Sequence, residues 1–207
     1  MKPILFNTDM VRAILEDRKT VTRRLVKDKD IINAWDCEED GTPIAYIDQE
    51  TGDSYPPTHR CPYRPGDILY VREAFQQNYD GSYSYRAGHK FEKEGGWRPS
   101  IHMPREAARI FLRVTDVSVA KLHDISESDA EKEGLKYTDD ICQDESWHPT
   151  FYDPDSGGDP SLAIGFAKLW DSTIKKSGVA LYGWDANPWV WVIEFGRISR
   201  REAVDGD

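Results

Sequence analysis

The chain has 207 residues, 39% of them hydrophobic and 12% aromatic, enough to bury a core within one domain, which excludes disorder throughout. Its formal net charge of −10 speaks against a long nucleic-acid duplex as partner, because neutralising phosphates requires clustered cations. Three cysteines, Cys37, Cys61 and Cys142, contain no CxxC pair, which argues against a disulfide framework or a zinc site and fits a reducing cytoplasm; no metal and no cofactor are expected.

The opening MKPILF carries one cation and a short apolar run, too little for a secretory segment. No later stretch approaches a membrane span, so a cytoplasmic protein with no membrane partner is expected. Thr8 can cap a helix from Asp9 to about Glu16, with Met10, Ala13 and Ile14 on one apolar face. VTRRLV after it is extended in character. Residues 28–60 are acidic and turn-rich, with Pro56-Pro57 and Pro62 near their end, and read as a surface insertion too polar to build a core.

Arg64-Pro65-Gly66-Asp67 supplies a turn into ILYVREAF, whose alternation predicts a strand. A second insertion, about 76–100, holds Gly81, Gly88 and Gly95-Gly96 and leads into WRPSIHMP. Ala108 to Val119 is β-branched and predicts a long strand. Ser126-Glu127-Ser128-Asp129 is a capping box with Ile125 placed to staple onto Ala130; Glu133 lies in the last turn of that helix and Gly134 can end it. A polar segment, about 136–158, follows as a third insertion. Asp159-Pro160 then reads as a cap plus first-turn proline for the amphipathic helix SLAIGFAKLWDSTI. WVWVIEFGRI, apolar on both faces, closes the chain as a strand buried on both sides, so Trp189 and Trp191, with Trp184 just before, are expected in the core. The order is α+β in a single domain spanning 1–207.

Charge is unevenly spread. Residues 1–27 hold seven Lys/Arg against three Asp/Glu, whereas 28–53 hold one against nine. The densest cationic stretch is Asp17 to Arg24, DRKTVTRR. It contains the ingredients of a nucleophile and base: a Thr22 hydroxyl needs a neighbour to take its proton, and Lys19 can do so if burial or nearby cations such as Arg23 or Arg24 depress its pKa. In an ideal strand, however, Lys19 and Thr22 lie on opposite faces, so they meet only if the backbone bends. The stretch reads equally as a solvated cationic edge.

DRKTVTRR, PGDILYVRE, RIFLRVTDV, ISESDAEKEG and PWVWVIEF, in that order across nearly the whole chain, resemble the ASCH domain, a relative of PUA domains, and most of all its long variant from bacteriophages and prophages. The resemblance implies a small, partly open β-barrel flanked by helices, its cleft facing the first helix and the following loop, and a bacterial host cytoplasm. Small ASCH amidohydrolases remove the acetyl group from acetylcytidine. Carried onto this chain, their residues fall at Lys19 as base, Thr22 as nucleophile and Glu133 as the acid that protonates the leaving nitrogen. Arg24 would neutralise an oxyanion or phosphate, with Arg23 beside it. Other family members cleave or merely bind RNA, so a modified nucleoside or single-stranded RNA is the implied partner, and a binding module or a ribonuclease is the alternative to a deacylase. Two departures stand out: the family's Gly before Arg-Lys-Thr is Asp17 here, and the chain is about twice as long as the small hydrolases.

A second stretch, Trp97 to Arg105, places Trp97, Arg98, Ser100 and His102 in one loop that could stack on a base and hold a sugar or phosphate. The same loop reads as proline-braced packing in which Trp and Met fill the interior. His59 with Cys61, and Cys142 with His148, lack four ligands at familiar spacings.

Overall fold

The computed structural model describes residues 1–27, 29–89, 96–136 and 161–206. The strands are β1 (Lys2–Leu5), β2 (Val21–Leu25), β3 (Trp35–Cys37), β4 (Pro43–Ile47), β5 (Ser54–Tyr55), β6 (Ile68–Arg72), β7 (Phe75–Gln77), β8 (Tyr83–Tyr85), β9 (Phe111–Lys121) and β10 (Trp189–Ile198). The helices are α1 (Thr8–Leu15), α2 (Lys29–Asn33), α3 (Glu127–Lys132), α4 (Leu162–Thr173), α5 (Val179–Tyr182) and α6 (Arg200–Asp205). The fold is α+β. None of the described helices is long and apolar enough to cross a membrane.

The main sheet has the order β1-β6-β9-β10-β2; β1 runs parallel to β6 and every other pair is antiparallel. ILYVRE, RIFLRVTDV and WVWVIEF, each expected to be a strand, therefore share one sheet. β10 is central because both its faces are apolar: Trp191, Ile193 and Phe195 enter one core with Leu69, Val71 and Leu112, while Val190 and Val192 pack on the other side with Phe166 and Leu169 of α4. A bulge between Glu194 and Phe195 frees the Phe195 N–H to donate to the Thr20 carbonyl at 2.8 Å, which fixes where β2 begins.

No closed barrel forms. β1 and β2 are the two edges of the sheet, and they are bridged by side chains instead of a ladder. Arg24 of β2 donates to the Leu5 carbonyl at 2.7 Å, and the Phe6 ring fills the gap, 6.1 Å from Phe195 centroid to centroid and 5.2 Å from the Arg24 guanidinium. An aromatic ring occupies the space in which a ladder would have to form.

Residues 28–60 were expected to build no core, and they do. β3, β4 and β5 form a small antiparallel sheet that contributes buried Trp35 and Tyr46 to the central core. Trp35 meets Trp189 and Trp191 edge-on at 5.2 and 5.9 Å, and its indole donates to Pro57. Most of the acids sit in the turns, where Asp40 and Asp48 accept turn N–H groups, and Asp36 of β3 is exposed, so they do not interrupt the inward face. In 76–100, β7 and β8 make a hairpin and Phe75 is buried.

Two caps differ from expectation. Asn7, not Thr8, caps α1 by accepting from the Met10 N–H at 2.8 Å, because Asn reaches the third helical N–H at least as well as Thr does. Ser161 caps α4, whose first residue is Leu162; Asp159-Pro160 and the predicted insertion beyond Lys136 lie outside the described residues, apart from Lys136 itself. The α3 capping box is as read: Ser126 and Asp129 bond reciprocally. Helix α6 was not foreseen, although its own box, Ser199 with Glu202, stands in the sequence.

Candidate active site

DRKTVTRR begins with a turn out of α1. Asp17 takes a left-handed conformation, φ 56°, and its carboxylate accepts two bonds from Arg197, at 3.1 and 2.9 Å. The turn presents three consecutive residues to the C-terminal end of α3. The Thr20 N–H donates to the Lys132 carbonyl at 2.9 Å, Lys19 Nζ to the Glu133 carbonyl at 2.9 Å, and Arg18 Nη1 to the Gly134 carbonyl. Carbonyls left unpaired at a helix end thus meet an N–H and two cations, which also suit the negative pole of the helix.

Gly134 makes this docking possible. Its φ is +98°, and a Cβ there would lie 2.7 Å from the Ala13 Cβ and 3.2 Å from the Lys19 Cβ. Only glycine gives both the turn and the close approach of α3 to α1 and the loop.

Lys19, Thr22, Arg23 and Glu133 are all buried, with 2, 2, 7 and 3% of their surfaces exposed. Lys19 Nζ is 2.5 Å from Glu133 Oε2 and also donates to the Val21 carbonyl at 2.8 Å. Glu133 Oε1 accepts from Arg23 Nη1 at 3.3 Å, and Arg23 Nη2 lies 3.4 Å from Asp129 Oδ2. One carboxylate therefore stands between two cations. The Phe6 ring lies 5.6 Å from Lys19 Nζ, and Phe166 lies 5.7 Å from the Arg23 guanidinium. Burial pulls the Lys19 ammonium below its ordinary 10.5, Glu133 opposes that, and Arg24 and Arg23 add to the lowering.

Of the three residues carried over as catalytic, Lys19 and Glu133 meet, and Lys19 does not face bulk solvent. Thr22 is buried within β2, opposite Ile193 of β10, one residue beyond the carbonyl that Lys19 holds. Arg24 is half-buried and faces Phe6 and Leu5. Beside Glu133, a cleft lined by Asn7, Asp9, Ala13 and Gly134 leaves about 20 Å³, room for a single water.

The second stretch stands apart from this cluster. Trp97 is half-buried against His89, ring centroids 5.1 Å apart, and its indole Nε1 is buried with no hydrogen-bond partner among the described residues. Arg98 lies over the Phe75 ring and pairs with it through the backbone. Ser100 and His102 form a 3₁₀ turn on the surface, while Met103, at the end of that turn, is the buried plug. No contact of Trp97, Arg98, Ser100 or His102 with Lys19, Thr22 or Glu133 occurs among the described residues.

Sequence reasoning missed two participants: Asp129 was seen only as a capping residue and Phe6 only as part of an apolar run. Away from the site it also missed the buried Glu73, which takes two bonds from Arg109. Glu73 lay within a predicted strand, and nothing local linked it to Arg109, 36 residues away.

No protein-family model matches the chain, and no curated protein does. Among solved structures it is similar to protein EF3133 from Enterococcus faecalis V583, described by the family DUF984, with a TM-score of 0.38 and 12% identity. That similarity covers 91% of this chain, which spans 66% of the other, just under two thirds of its length.

Proposed function

We propose that this chain is an ASCH-like amidohydrolase that removes an acyl group from the exocyclic nitrogen of a modified nucleoside or RNA base, with Lys19, Thr22 and Glu133 as its catalytic residues. The observation that carries this reading is the convergence of Lys19 and Glu133, 114 positions apart, in one buried pair at 2.5 Å beside the strand that bears Thr22. Shifting one proton from the Lys19 ammonium to the Glu133 carboxylate leaves the net charge unchanged and yields a neutral amine and a carboxylic acid, the base and the acid that deacylation needs. A neutral amine has two N–H bonds, so one of the three bonds Lys19 now makes is released, and the reading requires that the freed lone pair turn to the Thr22 hydroxyl.

Lys19 then takes the hydroxyl proton as the Thr22 oxygen attacks the acyl carbonyl. Glu133 gives its proton to the departing nitrogen, and water hydrolyses the resulting ester to restore Thr22. Arg24 stabilises the oxyanion.

A second reading has its own observation. The Lys19 ammonium is saturated by three oxygens and the cleft beside Glu133 has room for only one water, an arrangement that also suits a lock holding α3 in a module that only binds a nucleotide or single-stranded RNA. Incubating the pure protein with acylated nucleosides and short RNAs, and searching for products by mass spectrometry, separates the two. Deacylation that Thr22→Val abolishes and Thr22→Ser partly retains supports the hydrolase. Binding without any product supports the module, and cleaved RNA supports a ribonuclease at the same cluster.

A further inference from the structure

Arg23 departs from the usual behaviour of a substrate-binding arginine. Its side chain is 4% exposed, its Nε is buried without a hydrogen-bond partner among the described residues, and its two Nη groups are each committed to a carboxylate. The orientation of this buried guanidinium rests on two carboxylates and one aromatic face, which is how a structural arginine is held. We propose that Arg23 and Asp129 are positioning residues: Asp129 holds Arg23 against Glu133, and Arg23 thereby competes with Lys19 for the Glu133 carboxylate and sets how tightly the Lys19 ammonium is held. This rests on the amidohydrolase reading for its purpose, but the linkage itself is a property of the folded chain.

The charged groups packed around Lys19 come from two elements. β2 and the loop before it supply Arg23 and Arg24, both of which disfavour the ammonium, and α3 supplies Glu133, which favours it. The residue after β1 contributes the Phe6 ring and α1 contributes Ala13; Asp9 of α1 lines the cleft beside Glu133. Among the described residues, Asp129 connects to Lys19 through Arg23 and Glu133 in a chain of ion pairs.

The sign of one substitution separates positioning from simple charge. Asp129→Asn keeps an oxygen to accept from the Ser126 N–H, so the cap of α3 survives; the same oxygen faces Arg23, but without the negative charge its hold on the guanidinium is weakened. Removing a nearby negative charge, by Coulomb's law alone, disfavours the ammonium and lowers the Lys19 pKa. If Asp129 holds Arg23 in place, its loss lets Arg23 leave Glu133, and the Lys19 pKa rises instead. Arg23→Gln should raise it as well, and adding Asp129→Asn to Arg23→Gln should raise it no further.

The readout is the titration of the Lys19 side chain by NMR of lysine-labelled protein, with the resonance assigned from Lys19→Arg. It needs no substrate, so an absent linkage and an absent activity are separate results. An upward shift in both single variants, without addition in the double, supports the relay. A downward shift or none in Asp129→Asn, or a further rise in the double variant, overturns it. Where turnover is found, the pH at which activity rises should move upward in the same two variants, and an unchanged profile likewise overturns the proposal.

Discussion

Lys19 donates to three oxygens at once, the carbonyls of Val21 and Glu133 and the carboxylate of Glu133, which matches the three N–H bonds of an ammonium. Lys19→Met would leave all three acceptors buried without that donor, and removing one partner of a buried pair costs about 3–5 kcal/mol. Urea unfolding at neutral pH should show a loss of that order. The same group gives a pH dependence. Because burial lowers the Lys19 pKa in the folded chain below the 10.5 of the unfolded one, the folded state binds fewer protons between those two values. Stability therefore gains from this residue as pH rises through that window towards 10.5, and loses the gain as pH falls through the folded value. The slope of stability against pH should be shallower in Lys19→Met; an identical slope would mean that Lys19 titrates as an ordinary exposed lysine. Asp17 makes a smaller test. Glycine would relieve its left-handed backbone but lose the exposed pair with Arg197, and two terms of about 1 kcal/mol each nearly cancel. Asp17→Ala keeps the strain and loses the pair, so melting should rank Asp17→Gly near the parent and Asp17→Ala below both. At this scale the sequence showed that Asp17 could replace a glycine and that Lys19 needed cations nearby. It hid the Asp129–Arg23 link, because a contact between a strand and a helix a hundred residues away leaves no local pattern.

α3 is short, and its position is set from both ends. At its start the Glu127 carboxylate accepts from the Leu162 and Ala163 N–H groups and the Ser161 hydroxyl, tying α3 to the first turn of α4. At its end Arg18, Lys19 and Thr20 take up its last carbonyls. Gly134 is the hinge of the second attachment. Gly134→Ala meets the Ala13 Cβ and a backbone angle that alanine resists, so it should destabilise the chain by more than about 1 kcal/mol and draw Glu133 away from Lys19. Adding Ala13→Gly removes the collision but not the backbone strain, and should restore part of the loss in thermal melts. Full restoration would show that the left-handed turn carries no cost, and no restoration that the collision does not matter. The elements of this region were legible where the signal was local: the capping box of α3, the alternation of β6 and the apolar faces of β10 all lie within a few residues. What could not be read was the order of the sheet, since the parallel pairing of β1 with β6 joins segments separated by more than sixty residues and follows from packing alone.

Across the whole molecule, acidic composition and core building turn out to be compatible, because charge and burial are divided by position along each strand and turn. Residues 28–60 carry most of their acids between strands, and send Trp35 and Tyr46 inward. The sequence signal was read as a whole-segment average, which is why the buried face escaped notice. This has a consequence for stability. Trp35 packs edge-on against two tryptophans of the central strand, so the small sheet is joined to the core through β10, the same strand that pairs with β2 and fixes the register of Thr22. Trp35→Ala should cost about 3–5 kcal/mol, as truncation of a buried aromatic does. Unfolding by urea should remain a single transition with an earlier midpoint, followed both by tryptophan fluorescence and by far-ultraviolet circular dichroism. Two separated transitions, or a midpoint left in place, would mean that residues 28–60 fold as an appendage and that the core around Lys19 and Glu133 stands without them.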